Sequence, residues 1–95
     1  MKKYTVKFSP EANKGIKKIS KAGDKSSISK INSLIKEIIE NPRTGTGHPE
    51  QLKGYPNIER WSRRITSKHR LIYDIEEDVV VVVLIISAYG HYDDN

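Results

Sequence analysis

The sequence predicts an α+β fold in the order β-α-α-β-β-β, a twisted, mostly antiparallel four-stranded sheet with a two-helix hairpin packed on one face. Three observations carry that prediction. A short run near the start alternates apolar and polar residues. Two segments behind it place apolar residues at spacings of three and four. Beyond residue 57 the chain alternates, or turns wholly apolar, in short pieces separated by polar turns. At 95 residues the chain makes one domain over 1–95, with 93–95 as a flexible tail. A chain of this size buries roughly 60 to 65% of its unfolded surface, enough for one sheet and one layer of helices.

Tyr4, Val6 and Phe8 alternate with polar residues, so 3–8 reads as a half-buried first strand. Ser9-Pro10-Glu11 starts a helix: a side-chain cap, a proline at the first helical position, and an acid near the positive end of the dipole. Ala12, Ile16, Ile19 and Ala22 form its apolar stripe, while Lys14, Lys17, Lys18 and Lys21 face elsewhere. The stripe is thin and Gly15 weakens it, so this helix depends on tertiary packing. Ala22-Gly23-Asp24 ends it. A second helix runs from about 26 to 40, with Ile28, Ile31, Ile35 and Ile38 on its stripe and Leu34 and Ile39 widening it. Asn41-Pro42 stops that helix.

Residues 43–49 form a loop. It is not a phosphate-binding glycine loop, because no strand precedes it and its glycine spacing does not match. Residues 50–54 make a short turn or strand. Three strands follow, at about 58–66, 69–75 and 79–87. Val79 to Ile86 is continuously apolar, as for a central strand buried on both faces.

The net charge is +5 and the pI near 9.5, which favours an acidic partner such as nucleic acid or an acidic protein. Without cysteine there is neither a disulfide framework nor a thiolate metal site. The N-terminus lacks the apolar run of a signal peptide, and Val79 to Ile86 is far shorter than the about 20 residues that span a bilayer. These features read as a soluble, intracellular protein with no membrane association.

The densest cationic stretch is Arg60-Trp61-Ser62-Arg63-Arg64-Ile65-Thr66-Ser67-Lys68-His69-Arg70, two strands of a hairpin. Trp61, Arg63 and Ile65 point one way, and Ser62, Arg64 and Thr66 the other. With the turn centred near Ser67, Arg64 falls opposite Arg70. Like charges across a ladder repel, and a bound polyanion would relieve them. The alternative is a solvated basic face with splayed side chains. Arg63 and Lys68 are further candidates for RNA phosphate contacts.

His48, His69 and His91 follow no metal-ligand spacing, and no serine elbow or cysteine supports a nucleophilic triad. No cofactor is expected. Glu50, Arg64, Arg70, His91 and Tyr92 remain, with Lys53 nearby. Cleavage of an RNA phosphodiester needs a base for the 2′-hydroxyl, cations for the growing phosphate charge and an acid for the leaving 5′-oxygen. Those side chains supply the roles. The sequence alone does not bring them together, and each also reads as an ordinary surface residue.

Gly45-Thr46-Gly47-His48-Pro49-Glu50-Gln51-Leu52-Lys53, Trp61-Ser62-Arg63-Arg64-Ile65-Thr66, His69-Arg70-Leu71-Ile72-Tyr73 and Gly90-His91-Tyr92 resemble the YoeB/Txe toxins of the RelE superfamily. Phe8-Ser9-Pro10-Glu11-Ala12 and Lys30-Ile31-Asn32 agree as well. The likeness spans residues 6–92, in four separated motifs in order. It implies a ribosome-dependent endoribonuclease that cuts mRNA in the ribosomal A site. By that resemblance Glu50 is the general base and His91 the general acid. Lys53, Arg64 and Arg70 bind phosphate, and Tyr92 orients the substrate. The implied partners are the ribosome, mRNA and a YefM/Axe-like antitoxin, in the bacterial cytoplasm. Pairing of two copies stays open. This chain departs from the pattern in a loop between Lys53 and Trp61 that is one residue longer, and in Asp93-Asp94-Asn95 beyond Tyr92.

Two other functions compete. One is a ParE-like toxin that binds DNA gyrase and cleaves nothing. The other is a non-catalytic basic RNA-binding module.

Overall fold

The computed structural model describes residues 3–87. Its elements are β1 (Thr5–Phe8), α1 (Pro10–Lys21), α2 (Lys25–Glu40), β2 (Glu50–Gln51), β3 (Glu59–Arg64), β4 (His69–Glu76) and β5 (Val79–Ser87). The strands form one sheet in the order β1-β5-β4-β3-β2. β1 runs parallel to β5, and the other neighbours are antiparallel. The sheet therefore has five strands, not the four expected. The fifth is Glu50–Gln51, pairing as an edge strand with Ser62 and Trp61.

Both helices begin on side-chain caps. Ser9 Oγ accepts from the Ala12 amide at 3.0 Å and donates to the Val83 carbonyl at 2.7 Å. One serine thus caps α1 and ties it to β5 near the point where the β4–β5 register shifts, between Ile72 and Tyr73. Asp24 caps α2, accepting from the Ser27 amide at 3.1 Å and the Ser27 hydroxyl at 2.8 Å. This cap starts α2 at Lys25, one residue before the expected position.

The core lies between the helices and one sheet face. Ala12 and Ile19 of α1 and Ile31, Leu34 and Ile38 of α2 pack with Leu71, Tyr73, Val80, Val82 and Ile85. The inward edge of α2 is centred on fully buried Leu34, while Ile35 is only partly buried. Spacing identifies the members of the stripe; it does not fix the rotation of the helix about its axis. Gly15 has a packing reason. A Cβ there would lie 2.7 Å from Ile85 Cβ, so its absence lets α1 approach β5 closely.

Among the described residues, no helix covers the opposite sheet face. Along β5, Leu84 and Ile86 point outward and are 40% and 47% exposed. The expectation of burial on both faces therefore fails for this half of β5. No helix among the described residues is long and apolar enough to cross a membrane.

Candidate active site on the open face of the sheet

β3 carries two adjacent arginines, and strand alternation sends them to opposite faces. Arg63 points to the helix side and is fully buried. Arg64 points to the open side and is exposed. The register places Arg64 directly opposite Arg70 on β4, as the hairpin reading expects. Both are exposed, and among the described residues neither has an acid partner.

Glu50 joins them through β2. It pairs with Ser62, so it shares the open face with Arg64, one diagonal step along the ladder. Diagonal neighbours of this kind lie about 7–8 Å apart at the backbone, within reach of long side chains. The three groups of the predicted site that lie on the described strands thus share one surface.

Glu50 is set by the loop before it, and that loop is held from beneath by Arg63. Arg63 Nε donates to Tyr73 Oη at 3.0 Å. Nη1 donates to Glu37 Oε1 at 3.0 Å and the Thr46 carbonyl at 3.2 Å, and Nη2 to the carbonyls of Asn41 at 3.2 Å and Thr44 at 2.7 Å. A guanidinium has five N–H donors, and these bonds match that number. Glu37 also accepts from the Thr46 amide at 2.8 Å and hydroxyl at 2.6 Å. The Thr46 bonds, then Arg63, hold its carboxyl below the usual range. Tyr73 Oη donates to the Pro42 carbonyl at 2.6 Å, and burial raises its pKa.

The loop closes onto β3 where the Arg64 amide donates to the Gly47 carbonyl at 2.7 Å. Gly47 has φ +82°, and a Cβ there would meet the Arg64 carbonyl at 2.8 Å. Glycine is therefore required at this close approach.

The expectation that Arg63 binds RNA phosphate is corrected by its burial and its hydrogen bonds. It is a structural cation, with no surface left for a ligand. Lys68 is exposed in the β3–β4 turn. Lys53 is exposed in the loop after β2, beside a cleft lined by residues 51–56, and lies outside the strand ladder. His91 and Tyr92 lie outside the described residues.

His69 is buried, with Nε2 3.3 Å from Asp24 Oδ2, so it supports the start of α2 and does not face the open surface. Among the described residues, no group of three His, Asp or Glu side chains is placed to hold a metal ion.

Sequence reading missed the Glu37–Thr46–Arg63 cluster, because its members come from a helix, a loop and a strand with no local pattern joining them. It also missed the Arg60–Asp74 pair on the open face, at 2.6 and 2.9 Å. The register that pairs Arg64 with Arg70 puts Arg60 opposite Asp74, so that signal was present.

The backbone architecture is similar to that of solved toxins. The "YoeB dimer from Staphylococcus aureus" is 34% identical, covering 92% of this chain and 99% of that one, with a TM-score of 0.76. A "heterotetrameric complex of YoeB-YefM toxin-antitoxin from Staphylococcus aureus" matches at 33% identity and a TM-score of 0.75, over 90% of this chain and 98% of that one. "Toxin YoeB" of Synechocystis sp. is 47% identical over 73 residues, 73% of this chain and 76% of that protein. The protein is thus of the class of bacterial type II toxin–antitoxin toxins. A family model described as "YoeB-like toxin of bacterial type II toxin-antitoxin system" matches residues 8–92, and the chain belongs to that family.

Proposed function

We propose that this toxin is a ribosome-dependent mRNA endoribonuclease that cuts in the ribosomal A site and stops translation in the bacterial cytoplasm. The observation that carries the reading is the shared face of Glu50, Arg64 and Arg70, with the two arginines paired across the ladder and without an acid partner among the described residues. The Glu50 carboxylate takes the proton of the 2′-hydroxyl as its oxygen attacks phosphorus. Arg64 and Arg70 offset the negative charge that builds on the phosphoryl oxygens, with Lys53 and Lys68 adding to the field. The bond to the 5′-oxygen breaks, and the His91 imidazolium donates the proton that this oxygen needs. The products are a 2′,3′-cyclic phosphate and a 5′-hydroxyl. Tyr92 orients the substrate. The roles of His91 and Tyr92 rest on the family resemblance.

Acid–base groups of this kind contribute about 10² to 10⁴ in rate, and each well-placed charge donor about 10² to 10³. A YefM-like antitoxin is the regulatory partner, as in the related Staphylococcus complex, and two copies pair as in the related dimer. The test is induction of wild type, Glu50→Gln, Arg70→Ala and His91→Gln in cells, with mapping of mRNA 5′ ends. Codon-aligned cuts from wild type that vanish in all three variants are expected. Toxicity without such cuts would move the reading to gyrase binding, and RNA binding without toxicity to a non-catalytic module.

A further inference from the structure

An apolar groove of about 320 Å³ lies on the same sheet face as Arg64 and Arg70. Its floor is Ile72, Leu84 and Ile86, and its wall is Leu52, Tyr55 and Arg60. Two register facts join it to the candidate site. Ile86 is the direct cross-strand partner of Arg70. Ile72 and Leu84 continue the row that begins with Glu50 and Ser62. The groove therefore begins beside the arginine pair and runs away from it. Leu84, Ile86 and Tyr55 are 40%, 47% and 41% exposed, a concentration of open apolar surface around one groove.

The wall is held in place. Both nitrogens that Arg60 offers to Asp74 are bonded, at 2.6 and 2.9 Å, and the guanidinium lies 4.7 Å from the centroid of the Tyr55 ring. A planar cation fixed by a carboxylate and set against a ring steadies that ring. The charges at the groove also discriminate. Asp74 neutralises Arg60, and Glu11 at the rim adds an acid with no cationic partner among the described residues. A phosphate is disfavoured there and favoured at Arg64 and Arg70. A flat, uncharged group with apolar faces suits the groove, whose volume is near the lower end for small-ligand pockets.

We infer that this groove is a base-stacking subsite. Tyr55, backed by Arg60 and Asp74, and the floor of Ile72, Leu84 and Ile86 take a nucleobase next to the phosphate held by Arg64 and Arg70. The occupant is single-stranded RNA, so the inference rests on the nuclease reading above. Stacking on an aromatic ring tolerates every base and ranks bases only by stacking strength, so the subsite adds affinity and tilts the choice of cut codon.

The test uses the full chain carrying Glu50→Gln, so that RNA is not cut, and short RNA oligonucleotides with 2-aminopurine at each position in turn. Fluorescence quenching at one position is expected. Adding Tyr55→Ala removes that quenching and weakens binding about 5- to 150-fold, the range for removing one base–aromatic stack. Tyr55→Phe keeps both, and Tyr55→Leu keeps bulk but abolishes quenching. The slope of affinity against salt is unchanged in Tyr55→Ala, whereas Arg70→Ala flattens it by about 0.7 for each phosphate that the arginine no longer neutralises. In cells, Tyr55→Ala in the otherwise native chain shifts the spectrum of cut codons and Tyr55→Phe does not. Unchanged affinity and an unchanged spectrum in Tyr55→Ala overturn the subsite alone, as does unchanged RNA binding with weakened antitoxin binding, which assigns the groove to a protein. If the native chain cuts no mRNA and the parent binds no oligonucleotide, the nuclease reading falls and takes the subsite with it.

Discussion

Arg64 and Arg70 face one another across β3 and β4, both exposed and with no acid partner among the described residues. Like charges set opposite in a ladder do not help folding. Arg70→Ala should therefore change stability by no more than about 0.5 kcal/mol while lowering cleavage about 10²- to 10³-fold. Thermal melts beside single-turnover cleavage on programmed ribosomes check this. A large drop in melting temperature would mean that Arg70 has a structural partner.

Arg63 should behave in the opposite way. Its removal takes a donor from the buried Tyr73 hydroxyl and from three backbone carbonyls, and leaves a cavity. Arg63→Ala is expected to cost about 3–5 kcal/mol, the range for breaking a buried charged network. Denaturant unfolding of Arg63→Ala and Arg64→Ala side by side measures the contrast. Equal midpoints would refute it.

Gly15→Ala tests the close approach of α1 to β5. Alanine is the better helix former by about 1 kcal/mol, so an open site would be stabilised. Here the new methyl meets Ile85, and overpacking of about 1–3 kcal/mol should dominate. Calorimetry showing a raised melting temperature would indicate that α1 can shift away.

In α2, Leu34→Ala should cost about 2–5 kcal/mol, because Leu34 is fully buried, and Ile35→Ala clearly less. Chemical denaturation of both variants gives the order. From sequence alone Ile35 is the natural choice, since it sits on the isoleucine repeat.

Acid sensitivity has a named source at Asp24. Hydrogen bonds from the Ser27 side chain and backbone hold its carboxyl at about 2, below the ordinary 3.8. The folded value lies below the unfolded one, so folding favours the charged form. That contribution is present above about pH 4 and is lost as pH falls toward about 2. Asn also caps helices but does not titrate. Asp24→Asn should therefore show a smaller fall in melting temperature between about pH 5 and pH 2.5 than wild type. An identical fall would exclude Asp24 as a contributor.

Much of the molecule is legible in its residues. Ser9-Pro10 marks the start of α1, the isoleucine spacing marks α2, and the hairpin register follows once the turn is set near Ser67. What stays hidden depends on side chains from distant segments meeting. Alternation puts Arg63 on the apolar face of Trp61 and Ile65, but nothing local says that a cation there will be buried, and nothing near Glu37 announces that it will bind Thr46. The edge strand at Glu50 is only half legible: residues 50–54 read as a turn or a strand, because two residues are too few to show alternation. Its pairing is dictated by the loop that Arg63 holds.

Neighbouring guanidiniums with opposite duties constrain how relatives of this chain can diverge. Inserting or deleting one residue within β3 would turn the solvent-facing cation inward and thrust the keystone into water, disrupting the scaffold and the proposed phosphate site together. Changes of length upstream of Glu59, in the exposed turn around Tyr55, leave that alternation untouched. Indels should accumulate there, and the surface that Tyr55 helps to shape is the part of the molecule most open to evolutionary retuning.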